Sequence, residues 1–259
     1  MKRAFRWALI SLAALTVVAL GANWAQQQLR HADASPQAIA AMRSDASVLV
    51  EQGRYLVLRP RQTPERMGVV FYPGAYADIR GYVPTLRPIA AAGYRIVIVP
   101  MPFELAIFGF NAARDVQRVN PDLANWAIVG HSVGGAMAAM FASRNPDAVQ
   151  GVIIWDSYPP SMASLTDYPK PAWLIHRATP DGAPPASFAR NRKLYPPESP
   201  WVPIPGAIHM NFGSFQGGGY VEDWQPGITQ AQQHEQVIAA TLQALRQIEQ
   251  EASRGNAKP

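Results

Sequence analysis

Three observations predict an α/β domain with a mostly parallel central sheet covered by helices on both faces. Five near-continuous apolar runs read as buried strands, at residues 69–72, 94–99, 126–129, 152–155 and 173–176. Helix-compatible segments separate most of them, at residues 82–92, 112–119 and 135–143, and strand-helix-strand alternation is the signature of a parallel sheet buried on both sides. Third, the run ending at Val129 turns through Gly130-His131-Ser132-Val133-Gly134 into a small-residue helical stretch. At 259 residues and 48% hydrophobic, the chain has ample material for one large domain, and no linker interrupts its middle.

The elements follow in order. Lys2, Arg3 and Arg6 precede residues 7–22, an uncharged and largely apolar run ending in Ala19, Gly21 and Ala22. Residues 1–25 therefore read as a cleavable export signal or an N-terminal membrane anchor, and either one predicts an extracytoplasmic domain, secreted, periplasmic or membrane-attached. Residues 26–44 are polar and read as a tether with a short helix. Residues 46–50 and 55–58 form an antiparallel N-terminal hairpin, separated by Glu51-Gln52-Gly53-Arg54. A weaker last strand is expected at residues 200–204, then a Gly-rich segment. A long closing helix spans about residues 229–251, with Val237, Ile238, Leu242, Leu245 and Ile248 facing inward. The domain thus covers residues 45–251, and residues 252–259 read as a disordered tail.

Composition narrows the function. The chain has no cysteine, which excludes disulfides, thiolate zinc sites and a cysteine nucleophile. Three of the net five positive charges lie in the leader, and no basic cluster interleaved with aromatics follows, so no nucleic-acid partner is expected.

A serine flanked by glycines two residues away on each side, at a strand-to-helix turn, is the nucleophile-elbow pattern. The turn projects Ser132 Oγ clear of the sheet, and side chains at Gly130 or Gly134 would crowd it. A serine hydroxyl needs a base in contact and a group to orient that base. Of the five histidines, His31 is in the tether, His131 inside the elbow, His176 in a strand and His234 on the closing helix. His209 remains, in a loop between the last strand and the last helix, and is the expected base. The acid falls between nucleophile and base in chain order: Asp181, on the exit of the 173–176 strand, is preferred, and Asp156, at the end of the preceding strand, is the alternative. The oxyanion is expected to meet the N–H of Val133, at a helix N-terminus, and that of Ala75, with Gly74 the second choice. Leu105, Ile107, Phe108 and Phe110 could line an acyl pocket.

Several of these segments together resemble the α/β-hydrolase fold, and within it the anchored or exported bacterial hydrolases similar to dienelactone hydrolase. The resemblance runs through Phe71-Tyr72-Pro73-Gly74, through Pro100-Met101-Pro102-Phe103 and residues 105–109, through the elbow, and through Ile208-His209-Met210-Asn211-Phe212-Gly213, which is similar to an Asn-His-Ala-Gln-Phe-Gly pattern. It implies a Ser-His-Asp triad on Ser132, His209 and Asp181. The chain departs from the pattern at Ala207-Ile208, at Asn211, and after Asp181-Gly182, where Ala183-Pro184 follow. Dienelactone hydrolase itself uses cysteine, so its lactone chemistry is not inherited. The expected activity is cleavage of a carboxylic ester or related acyl bond in a small molecule, through an acyl-serine intermediate and with no metal or organic cofactor. The alternatives are an envelope acyltransferase with the same triad and a binding protein that keeps the fold without the chemistry.

Overall fold

The computed structural model describes residues 31–256 together with Thr16. The leader expected over residues 1–25 and the end of the tail lie outside the described residues. In chain order the elements are β1 (Ala32–Ala34), α1 (Pro36–Ala41), β2 (Val48–Gln52), β3 (Leu56–Pro60), β4 (Met67–Tyr72), α2 (Val83–Ala91), β5 (Tyr94–Ile98) and α3 (Ala112–Arg118). They continue as β6 (Trp126–His131), α4 (Val133–Arg144), β7 (Val152–Trp155), β8 (Ala172–Ala178), α5 (Ala186–Asn191), β9 (Trp201–Pro205), β10 (Phe215–Gly217) and α6 (Gln230–Asn256). Eight strands form one sheet in the order β2-β3-β5-β4-β6-β7-β8-β9. The β2-β3 hairpin and its join to β5 are antiparallel, and every pairing from β5 to β9 is parallel.

Side chains alternate across the sheet, as the period of two requires. Val69 and Phe71 of β4, Ile96 and Ile98 of β5 and Trp155 of β7 join one cluster with residues of α2 and α6. Val70 and Tyr72, Val97, Ile128 and Ile154 join the other with Phe141 and Met137 of α4 and Val116 of α3. The expected coverage of both faces is what the structure contains.

Two expectations differ. The short helix expected within residues 26–44 is α1, but residues 32–34 before it are no tether: β1 pairs antiparallel with β10, and Ala32, Ala34 and Ala38 are buried. Ser35 caps α1, its Oγ accepting the Ala38 N–H at 3.2 Å. Pairing with β10 was invisible in a segment as glycine-rich as residues 217–219. The closing helix also runs on to Asn256, so residues 252–256 of the expected tail are helical. Among the described residues, no helix is long and apolar enough to cross a membrane.

The elbow glycines are fixed by backbone on both sides. A Cβ at Gly134 would overlap the carbonyl oxygens of Tyr72 and Pro73, and one at Gly130 would overlap the Gly134 carbonyl. Nothing surrounds Gly53 in the hairpin. Gly134→Ala should therefore cost about 1–3 kcal/mol of unfolding free energy, whereas Gly53→Ala should stay within about 0.5 kcal/mol of wild type. Urea midpoints of the two variants check the contrast.

Candidate active site

Strand register builds the site. β6 and β7 are parallel neighbours with His131 opposite Trp155, so the next residues, Ser132 and Asp156, leave adjacent strands side by side. Both turn sharply there. Ser132 has φ 55° and ψ −126°, and Asp156 has φ 47°, a left-handed conformation uncommon for either residue type. The Ser132 N–H donates to the Trp155 carbonyl at 3.0 Å and the Asp156 N–H to the Ile175 carbonyl at 2.8 Å, which ties each turn to the next strand.

His209 reaches the same edge from the loop after β9. Its backbone is clasped from two directions. Glu222 accepts the N–H groups of His209 and Met210 at 2.8 and 2.7 Å. Gln233 of α6 accepts the Ile208 N–H at 3.0 Å and donates to the Ile208 carbonyl at 2.8 Å. The Tyr220 ring stacks on the imidazole, with centroids 4.0 Å apart at 23°. His209 Nδ1 donates to Asp156 Oδ2 at 2.5 Å, and Ser132 and His209 share the wall of a cavity of about 360 Å³.

The Asp156 carboxylate has no exposed surface and makes further bonds. Oδ1 accepts the Arg177 backbone N–H at 2.9 Å, and Arg177 Nη1 donates to Oδ2. Arg177 Nη2 donates on to Asp223 Oδ2 at 2.6 Å. Burial alone would raise the Asp156 carboxyl; the His209 hydrogen bond and charge, with the Arg177 guanidinium, outweigh it and hold the group at about 2.

Asp181 is not in this constellation. β8 continues to Ala178, and residues 179–183 close a tight turn in which Thr179 N–H donates to the Ala183 carbonyl at 2.9 Å. The exposed Asp181 carboxylate accepts from Thr179 Oγ1. The geometric reason is strand order: β7 adjoins β6, while β8 is one strand further from the serine. The alternative acid, Asp156, is the one that meets the imidazole.

The loop after β4 also differs from expectation in one donor. The Gly74 N–H donates to Tyr82 Oη at 2.9 Å, so it is already engaged. Having accepted that bond, the hydroxyl gives its own proton to His131 Nδ1 at 2.9 Å. Burial pushes His131 well below the ordinary imidazole value, with the neighbouring His209 adding to it, so this ring is neutral. Ala75 and Val133 both line the cavity, and their N–H groups have no protein partner among the described residues. Of the residues suggested for an acyl pocket, Ile107 and Phe108 are exposed, and neither they nor Leu105 and Phe110 line the Ser132 cavity.

His131, Asp156 and His209 offer ligand atoms within 4.8 Å of one another. Asp156 Oδ2 already accepts from His209 and Arg177, and His131 Nδ1 accepts from Tyr82. A metal ion there would have to displace a guanidinium of the same sign, so the donor set fits a hydrogen-bonded network.

Sequence reasoning missed Arg177, Tyr82, Glu222 and Gln233. Only Arg177 carried a signal: a charged residue continuing an apolar strand run needs a buried partner.

A serine on a strained strand-to-helix turn at the carboxyl edge of a mostly parallel sheet, sharing a cavity with an imidazole that is bonded to a buried carboxylate, fits the α/β-hydrolase class. The Alpha/beta hydrolase family matches residues 68–235, and the chain belongs to that family. A serine hydrolase-like protein from Danio rerio is 32% identical over 104 residues, which cover 36% of this chain and 32% of that one; the match thus spans about a third of the curated relative. Among solved structures, TT1662 from Thermus thermophilus is similar with a TM-score of 0.58 at 14% identity, covering 78% of this chain and 98% of that one. A ferulic acid esterase from Streptomyces cinnamoneus is similar with a TM-score of 0.53 at 19% identity, covering 72% and 68%. At these identities the likeness is one of fold.

The Asp156 value has a consequence for stability. Because about 2 lies below the ordinary 3.8, the native state releases this proton more readily than the unfolded chain does. The resulting stabilisation, about 2 kcal/mol, is complete above the ordinary value and lost as pH falls through the folded one. Wild type should lose that increment relative to Asp156→Asn between pH 5 and pH 2, as read from urea unfolding at each pH.

Proposed function

We propose that the protein is a serine hydrolase that cleaves a carboxylic ester through an acyl-Ser132 intermediate. One observation carries this reading: an imidazole bonded through Nδ1 to a buried carboxylate shares a cavity with a serine on a strained turn. Family membership supports it. So does the esterase activity named for a fold neighbour, the ferulic acid esterase, and the motif at residues 208–213 supports the finer likeness to dienelactone-hydrolase-like enzymes.

The chemistry follows from the bonds already made. Donation of Nδ1–H to Asp156 leaves the His209 Nε2 lone pair to take the Ser132 proton as Oγ attacks the acyl carbon. The oxyanion meets the free N–H groups of Ala75 and Val133, the latter at the N-terminus of α4, where the helix dipole favours negative charge. The imidazolium returns the proton to the leaving alkoxide, and water, deprotonated by the same Nε2, releases the acid. Tyr82 is a positioning residue in this scheme, since its bond to Gly74 fixes the loop that presents Ala75.

An active-site fluorophosphonate should label wild type and leave Ser132→Ala unlabelled; labelling of the variant, or of neither, sinks the acyl-enzyme. Asp156→Asn should lower kcat on a p-nitrophenyl ester about 10³–10⁴-fold, with Asp181→Asn within about twofold of wild type. Tyr82→Phe should lower kcat by less than the roughly 100-fold that loss of an oxyanion donor costs, with KM unchanged. A purely structural role for Tyr82 would instead appear as lost folded protein with normal turnover per labelled site.

A further inference from the structure

Residues 102–109, bonded through Glu104 to Tyr76 of the Ser132 cavity wall, display three large apolar side chains to water. Phe103, Ile107 and Phe108 are 75%, 54% and 62% exposed, and the two rings meet edge-on with centroids 5.6 Å apart. This display is held in place. Phe103 and Glu104 are consecutive non-glycine residues in the left-handed region, at φ 54° and 58°. Glu104 and Leu105 N–H groups donate to the Met101 and Pro102 carbonyls at 3.0 and 3.1 Å, and Ala106 and Met101 are buried beneath. Strained backbone that turns aromatic rings outward into water calls for something that covers them.

The segment is tied both to the site and to the start of the described chain. The Glu104 carbonyl accepts the N–H of Tyr76, which lines the Ser132 cavity, and the Tyr76 carbonyl accepts the Ala32 N–H at 2.8 Å. His31 Nε2 stands 3.1 Å from Glu104 Oε1. Residue 31 thus lies against Glu104, the neighbour of Phe103 in the chain. Eight residues, 23–30, separate that point from the apolar run at residues 7–22. Fully extended they reach about 30 Å at most, so whatever holds the run lies within about that distance of residue 31.

We propose that Phe103, Ile107 and Phe108 form a membrane-contacting surface, seating the cavity mouth against the same lipid bilayer that takes residues 7–22, so that the ester substrate is a membrane-resident amphiphile. The substrate part rests on the hydrolase reading above; the surface part does not. Phenylalanine and other apolar side chains enter the headgroup boundary readily, and a tether in the bilayer raises the effective concentration of a weak second contact.

The absence of cysteine permits a direct test. Full-length Phe108→Cys, labelled with a nitrobenzoxadiazole thiol probe, is mixed with phosphatidylethanolamine/phosphatidylglycerol vesicles carrying a doxyl-labelled lipid. The control is Asp147→Cys, exposed in the loop before β7 at the opposite edge of the sheet. Quenching at position 108 and none at 147 is expected. Equal quenching at both positions, or none at either, overturns the surface. A blue-shifted but unquenched probe at 108 also overturns it and assigns the cover to the chain's own residues 7–22. In a second arm, Phe103→Ser/Phe108→Ser should keep wild-type turnover of p-nitrophenyl acetate within twofold and lose at least tenfold on a long-chain ester held in the vesicles. Equal rates of wild type and variant on the vesicle ester overturn the amphiphile assignment. Failure of the hydrolase reading looks different: wild type then shows no Ser132-dependent turnover of either ester, while the quenching still reports on the surface.

Discussion

A carboxylate sealed from water governs the arrangement of this site. Asp156 carries no exposed surface, and an ionised group in that position survives only if every lone pair facing the protein is met by a donor. Three donors converge on it: the backbone N–H of Arg177, the Arg177 guanidinium and His209 Nδ1. The requirement then propagates outward. Arg177 is itself buried, and its second terminal nitrogen is met by Asp223, in the same loop whose Glu222 clasps the His209 backbone and whose Tyr220 covers the imidazole ring. Orientation of the His209 imidazole and closure of that loop over it are thus two results of one electrostatic demand.

The sheet makes the demand local. Parallel register places Ser132 and Asp156 as consecutive exits from β6 and β7, and the elbow glycines let α4 start against the β4 loop. That contact brings Val133 and Ala75 to the walls of one cavity. Tyr82 completes the loop's support from α2's side of the sheet, with one hydroxyl accepting from Gly74 and donating to His131. Ser132, Asp156 and His209 are therefore each held by a backbone bond or a buried polar bond, and none depends on an unsupported loop conformation.

What the sequence made legible divides along the same line. Strand and helix order, both faces of the sheet, Ser132 and the meeting of His209 with an acid could be read because apolar periodicity and glycine spacing are local signals. The acid itself could not. Asp181 lies in a Pro-Asp-Gly turn and Asp156 ends a strand, and choosing between them requires strand order, which is set by long-range pairing. The chain order Ser, acid, His admits both. Pairing of β1 with β10 was hidden for the same reason, because Gly217 and its neighbours carry no strand signal. Two buried arginines were open to a sharper reading. Arg95 and Arg177 each interrupt an apolar strand, and each proves to be matched by two carboxylates, Glu65 and Asp122 for the first, Asp156 and Asp223 for the second. A cation in a buried strand pattern is a demand for partners, and counting the acidic residues at the ends of neighbouring runs would have put Asp156 forward.

Two imidazoles, His131 and His209, lie with centroids 4.5 Å apart, and the structure gives them opposite tasks. Tyr82 occupies Nδ1 of His131 and burial keeps that ring neutral, so it adds no full positive charge beside its neighbour. Around His209 the fixed charges are Arg177, Asp156, Asp223 and Glu222, one positive against three negative. Arg177 Nη1 stands 3.4 Å from His209 Nδ1, and the guanidinium is bound to two of those carboxylates, Asp156 and Asp223. One arginine thus ties the carboxylate that orients the imidazole to the loop that covers it.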